Sequence, residues 1–194
     1  MPNLYIIAGC NGAGKTTASF EILPEILHCK EFVNADSIAA GISPFDPESV
    51  AVEAGRIMLQ RIQHLMTEKA DFAFETTLSA RSYVSLVKTA KEKGFKVTLL
   101  YFWLLSPEFA KQRVAIRVSK GGHNIPPDII ERRYYKGIYN LLNLYFPIVD
   151  RWMVIDNMNL TADVIAKGTG KEEKTILNSK LWNIILKQSS NNDK

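Results

Sequence analysis

The sequence predicts a three-layer α/β/α sandwich on a parallel sheet, and three observations carry that prediction. Short apolar runs are spaced along the chain, with longer helix-periodic segments between them. The first run ends directly in Gly9-Cys10-Asn11-Gly12-Ala13-Gly14-Lys15-Thr16, which fits G-x-x-x-x-G-K-[ST] at every position. The composition is that of a chain with a full core: 194 residues, 46% apolar and 23% charged.

The strands read in order as residues 4–8, 32–33, 72–76, 97–104 and 152–155. Near-continuous apolar runs of this length mark strands buried on both faces of a sheet. A helical stretch follows the glycine loop. Val50, Ala54, Ile57, Met58, Ile62, Leu65 and Met66 then fall on one helical face, with Asp46 placed to cap it and Pro47 suited to its first turn. Residues 79–93 read as the next helix, stopped by Gly94. Residues 107–118 form a third, ended before Gly121-Gly122, and residues 128–144 a fourth, stopped at Pro147. The expectation is one P-loop domain over residues 1–187, with a lid at about 110–136 and a polar tail over 188–194.

Composition excludes several classes. Two cysteines, Cys10 and Cys29, do not make a disulfide scaffold and fit a cytoplasmic protein. No apolar run approaches the ~20 residues that span a bilayer. Ile7-Ala8-Gly9-Cys10 resembles a lipoprotein cleavage box but lacks a basic n-region and an apolar h-region. The net charge of +4 suits an anionic partner, and nucleotide phosphates satisfy it as well as nucleic acid does. Nucleic acid is disfavoured because no array of base-stacking aromatics accompanies the charge.

The glycine loop is the most specific signal. Its glycines let consecutive backbone N–H groups turn inward on phosphate oxygens, and the helix that follows adds a partial positive charge. Gly9, Asn11, Gly12, Ala13, Gly14, Lys15, Thr16 and Thr17 are therefore the expected nucleotide-binding residues. Lys15 should reach the β- and γ-phosphates of ATP, and the Thr16 hydroxyl should bind Mg²⁺.

Two acids mark the acceptor side. Asp36 follows the second strand and Glu75 closes the third, and ligands in open α/β sheets sit at strand carboxyl ends. Asp36 either takes a proton from a substrate hydroxyl or caps the next helix. Glu75 either binds substrate hydroxyls or holds Mg²⁺ through a water. Thr76 and Thr77 either donate to substrate or cap a helix, and Arg81 reads more readily as solvated. Tyr83, Tyr134, Trp103 and Phe45 are candidate pocket walls. Asp156-Asn157 is the expected neighbourhood of the adenine.

Arg113 and Arg117 stand one helical turn apart, and Arg132-Arg133 follow the glycine pair. Two helices with cationic inner faces and a glycine hinge read as a lid whose guanidinium groups grip phosphate. Arg117 and Arg132 are the expected catalytic arginines, with Arg113 and Arg133 as further nucleotide contacts. His123 lacks a ligand partner at zinc spacing, which leaves it a lid or substrate contact.

Taken together, Gly9 to Thr16, Asn34-Ala35-Asp36, Phe74-Glu75-Thr76-Thr77-Leu78, Gly121-Gly122-His123-Asn124-Ile125-Pro126 and Arg132-Arg133-Tyr134 resemble the zeta-toxin family of P-loop kinases. The resemblance covers residues 4–157. It implies a nucleoside-kinase-like fold with a five-stranded parallel sheet and phosphoryl transfer from ATP to a hydroxyl. It implies a small-molecule substrate, with UDP-linked N-acetylamino sugars as the family's best-known acceptors. By motif position Asp36 matches the family's general base, Lys15 its P-loop lysine and Glu75 its substrate-binding acid, while Arg117 and Arg132 match its phosphate-binding arginines. The motif opens at Gly9, without the preceding helices of antitoxin-bound toxins, so the expectation is a chromosomal, single-domain member with an antitoxin partner left open. The competing expectations are a non-catalytic ATP-binding module that signals to a protein, and a polynucleotide kinase.

Overall fold

The computed structural model describes residues 1–122, 124–159, 162–170 and 173–190. His123 and residues 191–194 of the expected tail lie outside the described residues. The strands are β1 (Asn3–Gly9), β2 (Glu31–Val33), β3 (Phe72–Thr76), β4 (Lys96–Trp103), β5 (Arg151–Asp156), β6 (Asp163–Thr169) and β7 (Glu173–Ile176). The helices are α1 (Lys15–Glu21), α2 (Ala35–Ile42), α3 (Ala51–Glu68), α4 (Tyr83–Glu92), α5 (Pro107–Ser119), α6 (Pro127–Asn140) and α7 (Ser179–Ser189).

The sheet runs β2-β3-β1-β4-β5-β6-β7. The first five strands in that order are parallel, as the apolar runs predict. Contrary to the expected five strands, the sheet has seven, because β6 and β7 add an antiparallel hairpin to the β5 edge. β6 carries Ile165 and Ala166 inward between exposed and half-buried neighbours, so it shows none of the continuous apolar character of a central strand. In β4, by contrast, every residue from Leu99 to Trp103 is buried, the mark of a strand covered on both faces.

The parallel register fixes the site. Gly9 ends β1 opposite Phe102, and Ala8 pairs with Thr76 at the end of β3. The carboxyl ends of β1, β2, β3 and β4 therefore open on one edge of the sheet, and the glycine loop, Asp36 and Glu75 all lie at those ends.

The helices differ from expectation at their starts. Asp46 makes no side-chain cap, and Pro47–Val50 form a 3₁₀ turn before α3. Along α3, Ala54, Met58, Ile62, Leu65 and Met66 are buried as predicted, whereas Ile57 is exposed. The helix expected from residue 79 begins at Tyr83 instead. The chain before it is held as a turn: Leu78 has a φ of +57°, its carbonyl accepts from Asn140 Nδ2 at 2.6 Å, and the Ala80 carbonyl accepts from Tyr145 at 3.4 Å. α6 and the residues directly after it thus shape the loop beside Glu75.

α7 extends through Gln188 to Ser189, beyond the expected start of the tail. Gln188 accepts from Trp103 Nε1 at 3.0 Å and donates to the Leu105 carbonyl at 2.8 Å, fastening the helix to the end of β4. Tyr134, buried in α6, donates to the Leu104 carbonyl at 2.7 Å. Tyr134→Phe leaves that carbonyl without its donor and is expected to destabilise the fold by about 1–3 kcal/mol, read from the urea unfolding midpoint. No helix among the described residues is long and apolar enough to cross a membrane.

Candidate functional site

The glycine loop leaves β1 and enters α1 through Gly14, which has a φ of +78°. A Cβ there would lie 2.6 Å from Asn157 Nδ2. Both the left-handed backbone and this close approach require glycine. Asn157, expected near the base of the nucleotide, donates instead to the Ala13 carbonyl at 2.6 Å and braces the loop from β5. The next carbonyl along that brace, of Met158, accepts from Arg113 Nη2 at 2.9 Å.

Lys15 is buried and its ammonium donates to the Cys10 carbonyl at 3.0 Å. It also lies 3.4 Å from Glu75 Oε1. Glu75 Oε2 accepts from the Thr16 hydroxyl at 2.7 Å and from Asn34 Nδ2 at 2.8 Å. One carboxylate thus gathers the loop lysine, the loop threonine and the end of β2. The Cys10 thiol is pushed up to about 11 by burial, with nearby Lys15 opposing the shift.

Asn34 caps α2. Its Oδ1 accepts from the backbone N–H of Asp36 at 2.8 Å and of Ser37 at 3.2 Å. Asp36 therefore does not supply the cap; it sits in the first turn of α2. Asn34 was visible in the sequence only as part of a motif, and a polar residue before a helix reads as an ordinary cap.

Two cavities meet here. One, of about 290 Å³, is lined by the glycine loop with Lys15, Thr16, Thr17, Arg113 and Arg117. The other, of about 280 Å³, is lined by Asn34, Thr76, Thr77, Ser79, Tyr83 and Arg133 among others. Asn11, Lys15, Asp36 and Glu75 line both. Buried polar side chains concentrate at this junction: Asn11, Lys15, Asn34 and Thr76 make up most of those buried among the described residues. Burying polar groups is unfavourable without partners, so their clustering marks a built site.

The arginines divide. Arg113 and Arg117 both line the phosphate-side cavity. Arg133 lines the acceptor-side cavity and donates to Asn11 Oδ1 at 3.4 Å. Burial pulls its pKa below the ordinary arginine value, while the charge of Asp36 pushes it back up. Arg132, expected as the phosphate ligand, is exposed and lines neither cavity. α6 buries Ile130, Tyr134, Gly137 and Ile138, and Arg133 stands three residues from Ile130 and four from Gly137, beside that stripe. Arg132 is turned about 100° away.

Other expected contributors fall outside the cavities. Phe45 and Arg81 are exposed, and Trp103 and Tyr134 are core residues. Of the four candidate aromatics, Tyr83 lines the acceptor-side cavity, with its hydroxyl 3.7 Å from Met58 Sδ. Among the described residues no group of three or more His, Cys, Asp or Glu side chains is placed to hold a metal ion. The Thr16 hydroxyl and Glu75 carboxylate are nonetheless hard oxygen donors side by side. They fit a Mg²⁺ ion, which takes few protein ligands and keeps waters and phosphate oxygens.

Strand, glycine loop, helix and strand-end acids define a P-loop nucleotide-binding fold of the kinase-like class. The chain belongs to the zeta toxin family, whose model matches residues 1–162. A Haemophilus influenzae protein described only as uncharacterized is 36% identical over 128 residues, which is 65% of this chain and 88% of that one. Among solved structures, the AvrRxo1-ORF1:AvrRxo1-ORF2 structure with sulphate ions superposes with a TM-score of 0.73 at 19% identity, covering 95% of this chain and 63% of that one. The PezAT chromosomal toxin-antitoxin system of Streptococcus pneumoniae gives 0.70 at 17%, covering 100% and 88%. Shikimate kinase from Acinetobacter baumannii, in complex with shikimate, gives 0.50 at 20%, covering 100% and 96%. At these identities the likeness to solved structures carries the fold.

Proposed function

We propose that the protein is an ATP-dependent kinase that transfers the γ-phosphoryl group to a hydroxyl of a small molecule, with a UDP-linked N-acetylamino sugar as the leading acceptor class. The observation that carries this reading is the pair of adjoining cavities with Asp36, Glu75 and Lys15 on their shared wall. A nucleotide-binding sensor needs the first cavity only. A polynucleotide kinase would need stacking surfaces, and Tyr83 is the single aromatic among the residues lining the second.

Bound Mg²⁺ would neutralise charge on the β- and γ-phosphates, held by Thr16 with Glu75 beside it. Lys15 leaves the Cys10 carbonyl and turns its ammonium toward the same phosphates. Asp36 accepts the proton of the attacking hydroxyl or aligns it for in-line displacement. Glu75, Thr76 and Ser79 offer hydrogen bonds to the remaining hydroxyls. Arg113 and Arg117 from one side and Arg133 from the other stabilise the transferring group. Lys111 and Glu131, 2.6 Å apart, bridge the two lid helices, which wall the cleft against water.

The lid glycines set Arg117. A Cβ on Gly122 would lie 2.5 Å from Arg117 Cγ and 2.9 Å from its carbonyl. Gly122→Ala is expected to lower kcat/KM by about 10²-fold by displacing that guanidinium, read in steady-state kinetics beside an unchanged circular-dichroism spectrum.

The test is direct. Protein, MgATP and UDP-N-acetylamino sugars are incubated and the sugar nucleotide is followed by mass spectrometry and phosphorus NMR. A phosphorylated sugar nucleotide supports the reading. Tight ATP binding with no phosphorylated product across a panel of sugar nucleotides and polyols overturns it. The toxin-antitoxin and two-protein structures among the neighbours make a protein partner a second proposal, tested by whether one co-purifies and blocks ATP binding.

A further inference from the structure

We propose that Asn34 is a positioning residue that couples the two acids of the site, an inference resting on the kinase reading above. Its two amide atoms serve different elements. Nδ2 donates to Glu75 Oε2 at 2.8 Å. Oδ1 accepts from the N–H of Asp36 at 2.8 Å and of Ser37 at 3.2 Å. The side chain is buried at 6% exposure and lines the acceptor-side cavity. No other residue type does both tasks as well. Serine, threonine or aspartate would cap the helix, but aspartate is an acceptor only and would face Glu75 with a second negative charge.

The consequence reaches the nucleotide. Glu75 Oε2 is shared between Asn34 and the Thr16 hydroxyl, and Oε1 lies beside Lys15. A Glu75 held by Asn34 keeps its orientation when Lys15 and Thr16 turn to a triphosphate. A Glu75 without that donor swings toward the lysine and competes with the phosphates for it. Asn34 thereby fixes Glu75 and the first turn of α2 relative to each other, and with them the distance between the acceptor's grip and its base.

The experiment separates this role from capping. Asn34→Ser keeps a cap acceptor and is expected to melt close to the parent protein; Asn34→Asp keeps the cap but buries a second carboxylate beside Glu75, so it is expected to melt lower. Each is nevertheless expected to lose about 10–100-fold in kcat/KM for the acceptor, the size seen when a residue that orients a ligand is removed. Aspartate should be the more severe. In a Glu75→Ala background the Asn34→Asp change should cost nothing further, because the carboxylate it acts through is gone. The same double-mutant cycle is run on MgATP affinity by calorimetry. If the parent protein phosphorylates no acceptor, the kinase reading fails and non-additivity in MgATP affinity decides the role of Asn34. Additive effects in that cycle, or an Asn34→Ser variant with parent-like kcat/KM, overturn the inference and leave Asn34 a helix cap.

Discussion

Asp36→Asn is expected to slow phosphoryl transfer by about 10²–10⁴-fold while leaving MgATP affinity within about twofold. The substitution isolates the carboxylate. The α2 cap uses the backbone N–H of Asp36 and the side chain of Asn34, so asparagine at position 36 disturbs neither. The side chain stays nearly the same size, and the residue is exposed in the first turn of the helix. Thermal melting should therefore be unchanged, and the loss should fall on kcat. If the variant turns over at the parent rate, Asp36 is not the base.

Arg133→Ala should lower kcat by about 10³-fold or more, the scale of an arginine that neutralises transferring charge, whereas Arg132→Ala should leave it within about twofold. The two residues are adjacent in sequence and α6 separates them in space. Arg133 reaches Asn11 of the glycine loop and feels the charge of Asp36, and Arg132 points outward. Kinetics of the two alanine variants side by side provide the check. Equal losses would mean that the lid rotates on closing, and a loss at Arg132 alone would place the wrong arginine in the cleft.

That pair shows what sequence reading reached and where it stopped. The glycine loop, the central strands and the strand-end acids were legible because each carries a local signature: glycine spacing, unbroken apolar runs, and a carboxylate directly after them. The lid arginines were legible as a group, but choosing between Arg132 and Arg133 depends on helix phase. The stripe of Ile130, Tyr134 and Ile138 held that information, since a residue three places after Ile130 flanks the buried side. The turn before α4 was not legible, because Asn140 and Tyr145 of a distant segment impose it. The bond of Asn157 to the Ala13 carbonyl was not legible either, since it depends on β5 ending beside β4. Asn34 looked like a cap and is one; its second bond, to Glu75, crosses 41 residues of sequence.

The antiparallel hairpin has a practical bearing on how this chain is handled. The family match ends at residue 162, just before β6 begins at Asp163. A shortened version cut there would strip the cover from Trp152, Met153, Val154 and Ile155 and bare a row of backbone donors and acceptors along β5. Such a ragged margin invites templating of one molecule by the next, and the shortened chain would aggregate rather than report on catalysis.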